Sequence, residues 1–299
     1  MKLMETEFQG HKAVELTTAK LQLRVTTDFG PRICFFGKPG GDNLLLWEEN
    51  KYFRAQWGKK WDLKGGHRVW ITRPLADENE ETYQLEQTPC RVKQLDDGWD
   101  ILGEVDPLFR IRKGIKVRVV ADDKIIVDNY LVNVGNLLYS GGIWALTCSL
   151  PTDTTTYGIP LGDGNMWDYC RIIMFRKWET HKGGYNDDQF TFGEDMMFIK
   201  PRGRENKRML QADRGIIAMH DPARDTLFAK QVAYDRTAHY PQGCNIAAYV
   251  GPENFMVEME TMGPEMTVKP DETIHNKETW FLGSAATRLT VSDLEAALQ

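Results

Sequence analysis

Ile115-Lys116-Val117-Arg118-Val119 and, beyond Asp122-Asp123, Ile125-Ile126-Val127-Asp128-Asn129-Tyr130-Leu131-Val132 set the pattern for the whole chain. In the first run three β-branched residues alternate with Lys116 and Arg118. The second is an extended apolar run with Asp128 and Asn129 inside it. A period of two sends successive side chains to opposite faces of a strand. One face is then buried and the other wetter, the habit of antiparallel sheets. Working outward, Leu21, Leu23 and Val25 repeat the alternation, as do Ile33 and Phe35 after Gly30-Pro31. Further short runs lie at 216–219, 227–232, 245–250, 255–262 and 279–282, separated by Gly, Pro, Asn and Asp. Helical signals are few. Ser292 followed by Glu295 has the spacing of a capping box, which predicts one short helix over 292–298. No repeat, low-complexity linker or abrupt change of composition divides the chain. A single all-β domain over residues 1–299 is the economical reading.

The 299 residues are 41% hydrophobic and 27% charged, enough apolar material for a core and too much for extensive disorder. Lys and Arg number 37 against 43 Asp and Glu, a net charge of −6, so a basic nucleic-acid surface is not the dominant feature and no nucleic-acid partner is expected. The N-terminus carries no apolar h-region, and no stretch approaches the roughly 18 apolar residues of a spanning helix. A cytoplasmic protein with no membrane partner is the expectation. Five cysteines (Cys34, Cys90, Cys148, Cys170 and Cys244) are odd in number, scattered and never paired as Cys-x-x-Cys. That argues against a disulfide framework or structural zinc and for buried, reduced thiols. The six histidines are far apart, so no metal site and no cofactor is expected. Phosphate-loop, nucleophile-elbow and His-Glu-x-x-His motifs are absent.

Three stretches carry residues suited to chemistry. In Lys64-Gly65-Gly66-His67-Arg68-Val69-Trp70, two glycines permit a tight turn, and an imidazole, a guanidinium and an indole follow. If Gly66 to Trp70 is extended, His67 and Val69 share one face while Arg68 and Trp70 share the other. In Phe255 to Pro264, a strand puts Glu258 and Glu260 on one face with Met256 and Met262, and Phe255, Val257 and Met259 on the other. Desolvation and mutual repulsion would raise these carboxyl pKa values toward general-base range; an exposed face with cross-strand cations is the plainer alternative. His239-Tyr240-Pro241-Gln242-Gly243-Cys244-Asn245 reads as a turn entering a strand, with Asn245 offering both donor and acceptor. The Gly- and aromatic-rich segment 151–215, which includes Trp167, Tyr169 and Trp178, reads as a long irregular connection. Within it Lys200, Arg202, Arg204, Lys207 and Arg208 form a basic cluster, either a solvated loop or a contact for an anionic ligand group.

Taken in order, Asp28-Phe29-Gly30-Pro31-Arg32-Ile33, Gly65 to Trp70, Gly243-Cys244-Asn245, Glu258 to Pro264, Lys269-Pro270-Asp271-Glu272 and Glu278-Thr279-Trp280 resemble an uncharacterised, largely bacterial family of the galactose mutarotase-like superfamily. The likeness runs from about residue 12 to 283. It implies a β-supersandwich, large antiparallel sheets stacked face to face, with a sugar-binding cleft on a concave side. In aldose 1-epimerases of this fold a late-strand carboxylate takes the anomeric hydroxyl proton and a histidine protonates the ring oxygen. Met259-Glu260-Thr261-Met262 is similar to that late-strand motif, which makes Glu260 the candidate base and Glu258 the reserve. Lys64, His67 and Arg68 lie where those enzymes carry an early cleft motif. The mid-chain strand that holds their histidine corresponds to Ser140 to Leu146, where Trp144 stands and no histidine does. The acid role then passes to His67 or His239, or ring opening is not catalysed.

The first expectation is thus an aldose 1-epimerase-like isomerase with Glu260 as base and His67 as acid, and with Lys64, Arg68, Trp70, Trp144, His239 and Asn245 around a sugar or sugar derivative. The alternatives are a non-catalytic carbohydrate-binding protein on the same scaffold and, third, a glycoside hydrolase or lyase-type enzyme. A monomer or homodimer is expected.

Overall fold

In a computed structural model, residues 1–54, 60–72, 86–177 and 182–299 are described. Trp178 and His181 lie outside them. Two antiparallel sheets stack face to face. The first, of twelve strands, runs in the order Lys2–Phe8, His11–Thr17, Gln22–Thr26, Arg32–Gly37, Lys60–Thr72, Tyr139–Ser149, Val257–Met262, Ile246–Val250, Asn206–Leu210 and Ile172–Met174. Trp47–Arg54 pairs with Lys60–Thr72, and Met266–Val268 pairs with Tyr139–Ser149. The second, of ten, runs Phe190–Phe192, Met196–Ile199, Thr156–Pro160, Ile216–Asp221, Thr226–Val232, Thr273–Gly283, Lys124–Asn133, Ile111–Ala121, Gly98–Val105 and Arg91–Leu95.

Every stretch whose alternation predicts a strand overlaps one. The strand expected over 255–262 begins only at Val257, and Phe255, which ends a preceding turn, packs with Met256 rather than on the Val257 side. The opening pair forms the Ile111–Ala121 and Lys124–Asn133 hairpin, in which Ile115, Val117, Ile125 and Val127 are fully buried. Their faces meet Val69, Ala145, Ala248, Val257 and Met259 of the first sheet in one continuous core. Burial of apolar area, at roughly 25 cal/mol per Å², is what clamps the two sheets together.

Two expectations are corrected. Segment 151–215 is not one irregular connection. Its described residues hold five short strands, Thr156–Pro160, Ile172–Met174, Phe190–Phe192, Met196–Ile199 and Asn206–Leu210, whose apolar runs are too short to stand out among the glycines. Its basic cluster is dispersed. Arg202 and Arg204 pair with Asp187 and Asp188, and Arg208 turns inward over the Phe190 ring at 4.4 Å and donates to the Gly184 and Tyr185 carbonyls. Only Lys207 of the five enters the site described below. The terminal helix, Val291–Leu298, is capped by Thr290, whose hydroxyl accepts from the Asp293 N–H, rather than by Ser292. Starting there puts Val291, Leu294 and Leu298 together against the outside of the second sheet.

The glycine pair does bend the Lys60–Thr72 strand. Lys64, Gly65 and Gly66 have φ of 50°, 88° and 71°, three left-handed residues in succession. A Cβ on Gly65 would lie 2.3 Å from the Leu46 carbonyl oxygen, and one on Gly66 2.3 Å from that of Ile33, so neither position accepts a side chain without moving backbone. The buried Arg32 guanidinium donates to the Leu63 and Gly65 carbonyls at the bend.

Candidate functional site

The register of three strands distributes the candidate residues. Trp144 stands opposite Trp70 and Met262, Leu146 opposite Arg68 and Glu260, and Cys148 opposite Gly66 and Glu258. Directly opposed residues share a face. The outer face of the first sheet, away from the second, therefore carries Trp70, Arg68, Trp144, Glu260 and Glu258. Ala247 and Tyr249, opposite Glu260 and Glu258, extend it, and Lys207 and Met209 lie opposite those in turn. Met256 and Met262 flank the two glutamates there, while Val257 and Met259 enter the inter-sheet core, as the alternation predicts.

Glu260 is fully buried. Its Oε2 accepts from the Trp144 indole at 2.7 Å and lies 3.1 Å from the Lys207 ammonium, which sits over the Trp144 ring at 4.5 Å. Its Oε1 is buried with no hydrogen-bond partner among the described residues. Burial lifts the carboxyl to about 7; the neighbouring Glu258 charge adds to the rise, and Lys207 and Trp144 oppose it. Glu258 is otherwise committed, accepting from Arg68 at 3.1 Å and from the Cys148 thiol. Arg68 also lies 4.5 Å over the Trp70 ring and 3.7 Å from Glu86, and Glu86 accepts from the Trp70 indole. The outer face thus places an uncommitted carboxylate oxygen, an ammonium and two indoles together, a set able to take a proton from a hydroxyl and give one back.

His67 does not share that space. It stands opposite Thr147, which in turn stands opposite Met259 of the inter-sheet core, so His67 lies on the inter-sheet face and does not serve as an acid facing Glu260. Strand alternation sends it the other way because Arg68 and Trp70 take the outer side. There Nε2 is 2.8 Å from Asn129 Oδ1 and Nδ1 2.8 Å from the Thr147 hydroxyl. Asn129 Oδ1 can only accept, so the neutral ring carries its proton on Nε2 and Nδ1 accepts from the Thr147 hydroxyl, whose oxygen accepts in turn from Lys230. Lys230 also pairs with Glu278 at 2.8 Å, and Glu278 accepts from Thr261 and Trp280. Burial holds the His67 pKa down to about 4, so the ring is neutral.

The remaining candidates scatter. Lys64 pairs with Glu49 at 2.8 Å and lies 5.2 Å over the Phe29 ring. Asn245 spends its amide on the backbone of Ala212, accepting from N and donating to O, so it ties two chain segments and presents nothing to a ligand. His239 is 79% exposed and pairs with Glu265 at 2.7 Å, on the rim of a separate pocket. Lys207 and Glu86 escape a reading of the sequence one motif at a time, since each lies far along the chain from the residues it joins; only the basic cluster pointed at Lys207. Among the described residues no three His, Cys, Asp or Glu side chains converge as metal ligands would, and no helix is long and apolar enough to cross a membrane. The five cysteines are free thiols, and burial pushes that of Cys148 up to about 12.

No protein-family model and no curated protein matches the sequence. The structure does have counterparts. A candidate aldose 1-epimerase from Escherichia coli K12 superposes over 95% of this chain and 100% of its own, with a TM-score of 0.60 and 11% identity. A candidate mutarotase from Salmonella typhimurium covers 94% of each chain, with a TM-score of 0.61 and 11% identity. A galactose mutarotase-like protein from Clostridium acetobutylicum covers 95% of this chain and 99% of its own, with a TM-score of 0.60 and 10% identity. The chain has the galactose mutarotase-like fold.

Proposed function

We propose that the protein binds a sugar against the outer face of the first sheet and interconverts its anomers, with Glu260 as general base and Lys207 as proton donor. The observation that carries this reading is Glu260 Oε1, a buried carboxylate oxygen without a partner in a group whose pKa sits near 7. A hydroxyl proton satisfies it. Glu260 takes the proton of the anomeric hydroxyl, the electron pair left on that oxygen forms the carbonyl, and the bond from C1 to the ring oxygen breaks. The ring oxygen takes a proton from the Lys207 ammonium. Rotation about C1–C2 presents the other carbonyl face, and the same two protons return as the ring closes. Lys207 replaces His67 in this scheme because it lies on the same face, 3.1 Å from the base. Trp144 and Trp70 offer flat apolar surface to the C–H side of the ring.

Anomer exchange followed by NMR tests the scheme. Glu260→Gln is expected to lower the catalysed rate about 10²–10⁴-fold, while an unaltered rate in that variant removes Glu260 from the mechanism. A second reading, sugar binding without turnover, draws on the two donors already engaging Glu260 Oε2. It predicts sugar affinity that survives Glu260→Gln and exchange no faster than the spontaneous rate in either form. Hydrolysis asks two carboxyls to flank the scissile bond; Glu258 and Glu260 lie side by side on one strand face, and nothing in the geometry favours it.

A further inference from the structure

A pocket of about 290 Å³ opens at one end of the first sheet, lined by Tyr169, Arg171, Tyr234, Arg236, His239 and Tyr240. Its size falls at the lower edge of the roughly 300–1,000 Å³ usual for small-molecule sites and suits one monosaccharide. It adjoins the outer face that carries Glu260. Gln211, in its wall, lies two residues beyond Met209, which packs with Trp144 and Met262. Gln211 N–H donates to the Arg171 carbonyl, continuing the pairing of Ile172 with Leu210. Cys244, next to the wall residue Gly243, belongs to the same apolar cluster as Trp144.

The charges in this wall do not cancel. Arg236 is paired twice, with Asp163 and Asp213 at 2.8 Å each, and His239 is paired with Glu265. Arg171 has no carboxylate partner among the described residues. Its guanidinium passes Gly243 so closely that a Cβ there would lie 2.0 Å from Nη1, and Gly243 holds a left-handed φ of 70°. Around this cation stand three phenol rings. Tyr234 and Tyr240 lie 4.9 Å apart, and Tyr169 sits under Arg236 at 5.6 Å. Tyr240 spends its hydroxyl on the Asp235 N–H, while those of Tyr169 and Tyr234 have no hydrogen-bond partner among the described residues. An unpaired planar guanidinium recognises a carboxylate or phosphate through parallel hydrogen bonds. Tyrosine faces and free hydroxyls suit a sugar ring.

We propose that this pocket binds an acidic sugar, one carrying a carboxylate or a phosphate ester, with Arg171 as the counter-ion of its anionic group. The assignment adds a second sugar site beside the one in the proposed function and rests on that reading only in taking the ligand to be a sugar. Calorimetric titration of the full chain with glucose, glucuronate, glucose 6-phosphate and inorganic phosphate tests it. Wild type is expected to bind at least one acidic sugar about tenfold or more tightly than glucose, which is about 1.4 kcal/mol. The stronger of glucuronate and glucose 6-phosphate tells carboxylate from phosphate ester. Arg171→Gln is expected to abolish the preference and leave the glucose affinity and the melting temperature unchanged, and Arg171→Lys to restore part of it. Equal affinity for acidic and neutral sugars, a preference that persists in Arg171→Gln, or no binding of any sugar would overturn the proposal. Inorganic phosphate binding as tightly as glucose 6-phosphate would overturn the sugar part of it.

The two readings fail separately. An Arg171-dependent preference with no anomer exchange keeps this site and removes the ring-opening scheme. Exchange that depends on Glu260 without any acidic preference does the reverse.

Discussion

Glu260 and Trp144 show how one contact tunes a carboxylate. The indole N–H donates to Oε2 at 2.7 Å and stabilises the charged form against the burial that disfavours it. Trp144→Phe keeps an aromatic face and removes the donor, so the Glu260 pKa rises further. The limb of the rate profile that requires ionised Glu260 is expected to move to higher pH, by about one unit for a loss on the order of 1.4 kcal/mol. A profile that stays in place in Trp144→Phe would show that the indole does not govern this carboxylate. The residue pattern offered Glu258 and Glu260 together among methionines, and the resemblance singled out Glu260 and the mid-chain position of Trp144. Their contact was not legible, because Trp144 and Glu260 are 116 residues apart and meet only through strand pairing.

At the scale of elements, alternation was a reliable guide. Period two in the 115–132 run and in 257–262 told which side of each strand was apolar, and the sheets bury those sides. It failed where strands are three to five residues long, as in Ile172–Met174 or Phe190–Phe192, since too few positions establish a period. The helix boundary turned on a similar ambiguity. Thr290 with Asp293 and Ser292 with Glu295 both have cap-like spacing, and the packing of Val291 and Leu294 against the sheet selects the earlier one. Thr290→Ala is expected to cost about 1 kcal/mol of stability, whereas Ser292→Ala costs under about 0.5 kcal/mol. Denaturant midpoints of the two variants measure the difference; a lower midpoint in Ser292→Ala than in Thr290→Ala would move the cap to Ser292.

The whole molecule is held partly by charges that lie between its sheets. Lys230 and Glu278 are fully buried and meet His67, Asn129, Thr147 and Thr261 in a network with its hydrogen bonds satisfied. Removing one charge leaves the other buried and unpaired, so Glu278→Gln is expected to destabilise by about 3–5 kcal/mol, read from chemical denaturation at neutral pH. A loss below about 1 kcal/mol would mean that the pair is dispensable. His67 adds a pH dependence. Its pKa is about 4 in the fold against an ordinary value near 6.5, so between those values the unfolded chain binds the extra proton. Its contribution is complete above pH 6.5 and is lost as the pH falls toward 4. The stability difference between wild type and His67→Gln should therefore shrink steadily across that interval. A difference that is flat from pH 7 to 4 would refute the neutral, buried ring.

Order along the chain was sufficient for antiparallel strands with one apolar face, because alternation is a local property that each strand carries by itself; the stacking of large sheets followed only from the resemblance. Order along the chain also marked Glu260 as a carboxylate among apolar neighbours. Which residues keep it company was settled by folding. Strand register, set by long-range pairing, put Lys207 beside the base and turned His67 into the interior, where burial holds the ring neutral between its two hydrogen-bond partners. A single-residue step along a strand exchanges one face for the other, and no local pattern states which strands will lie next to each other.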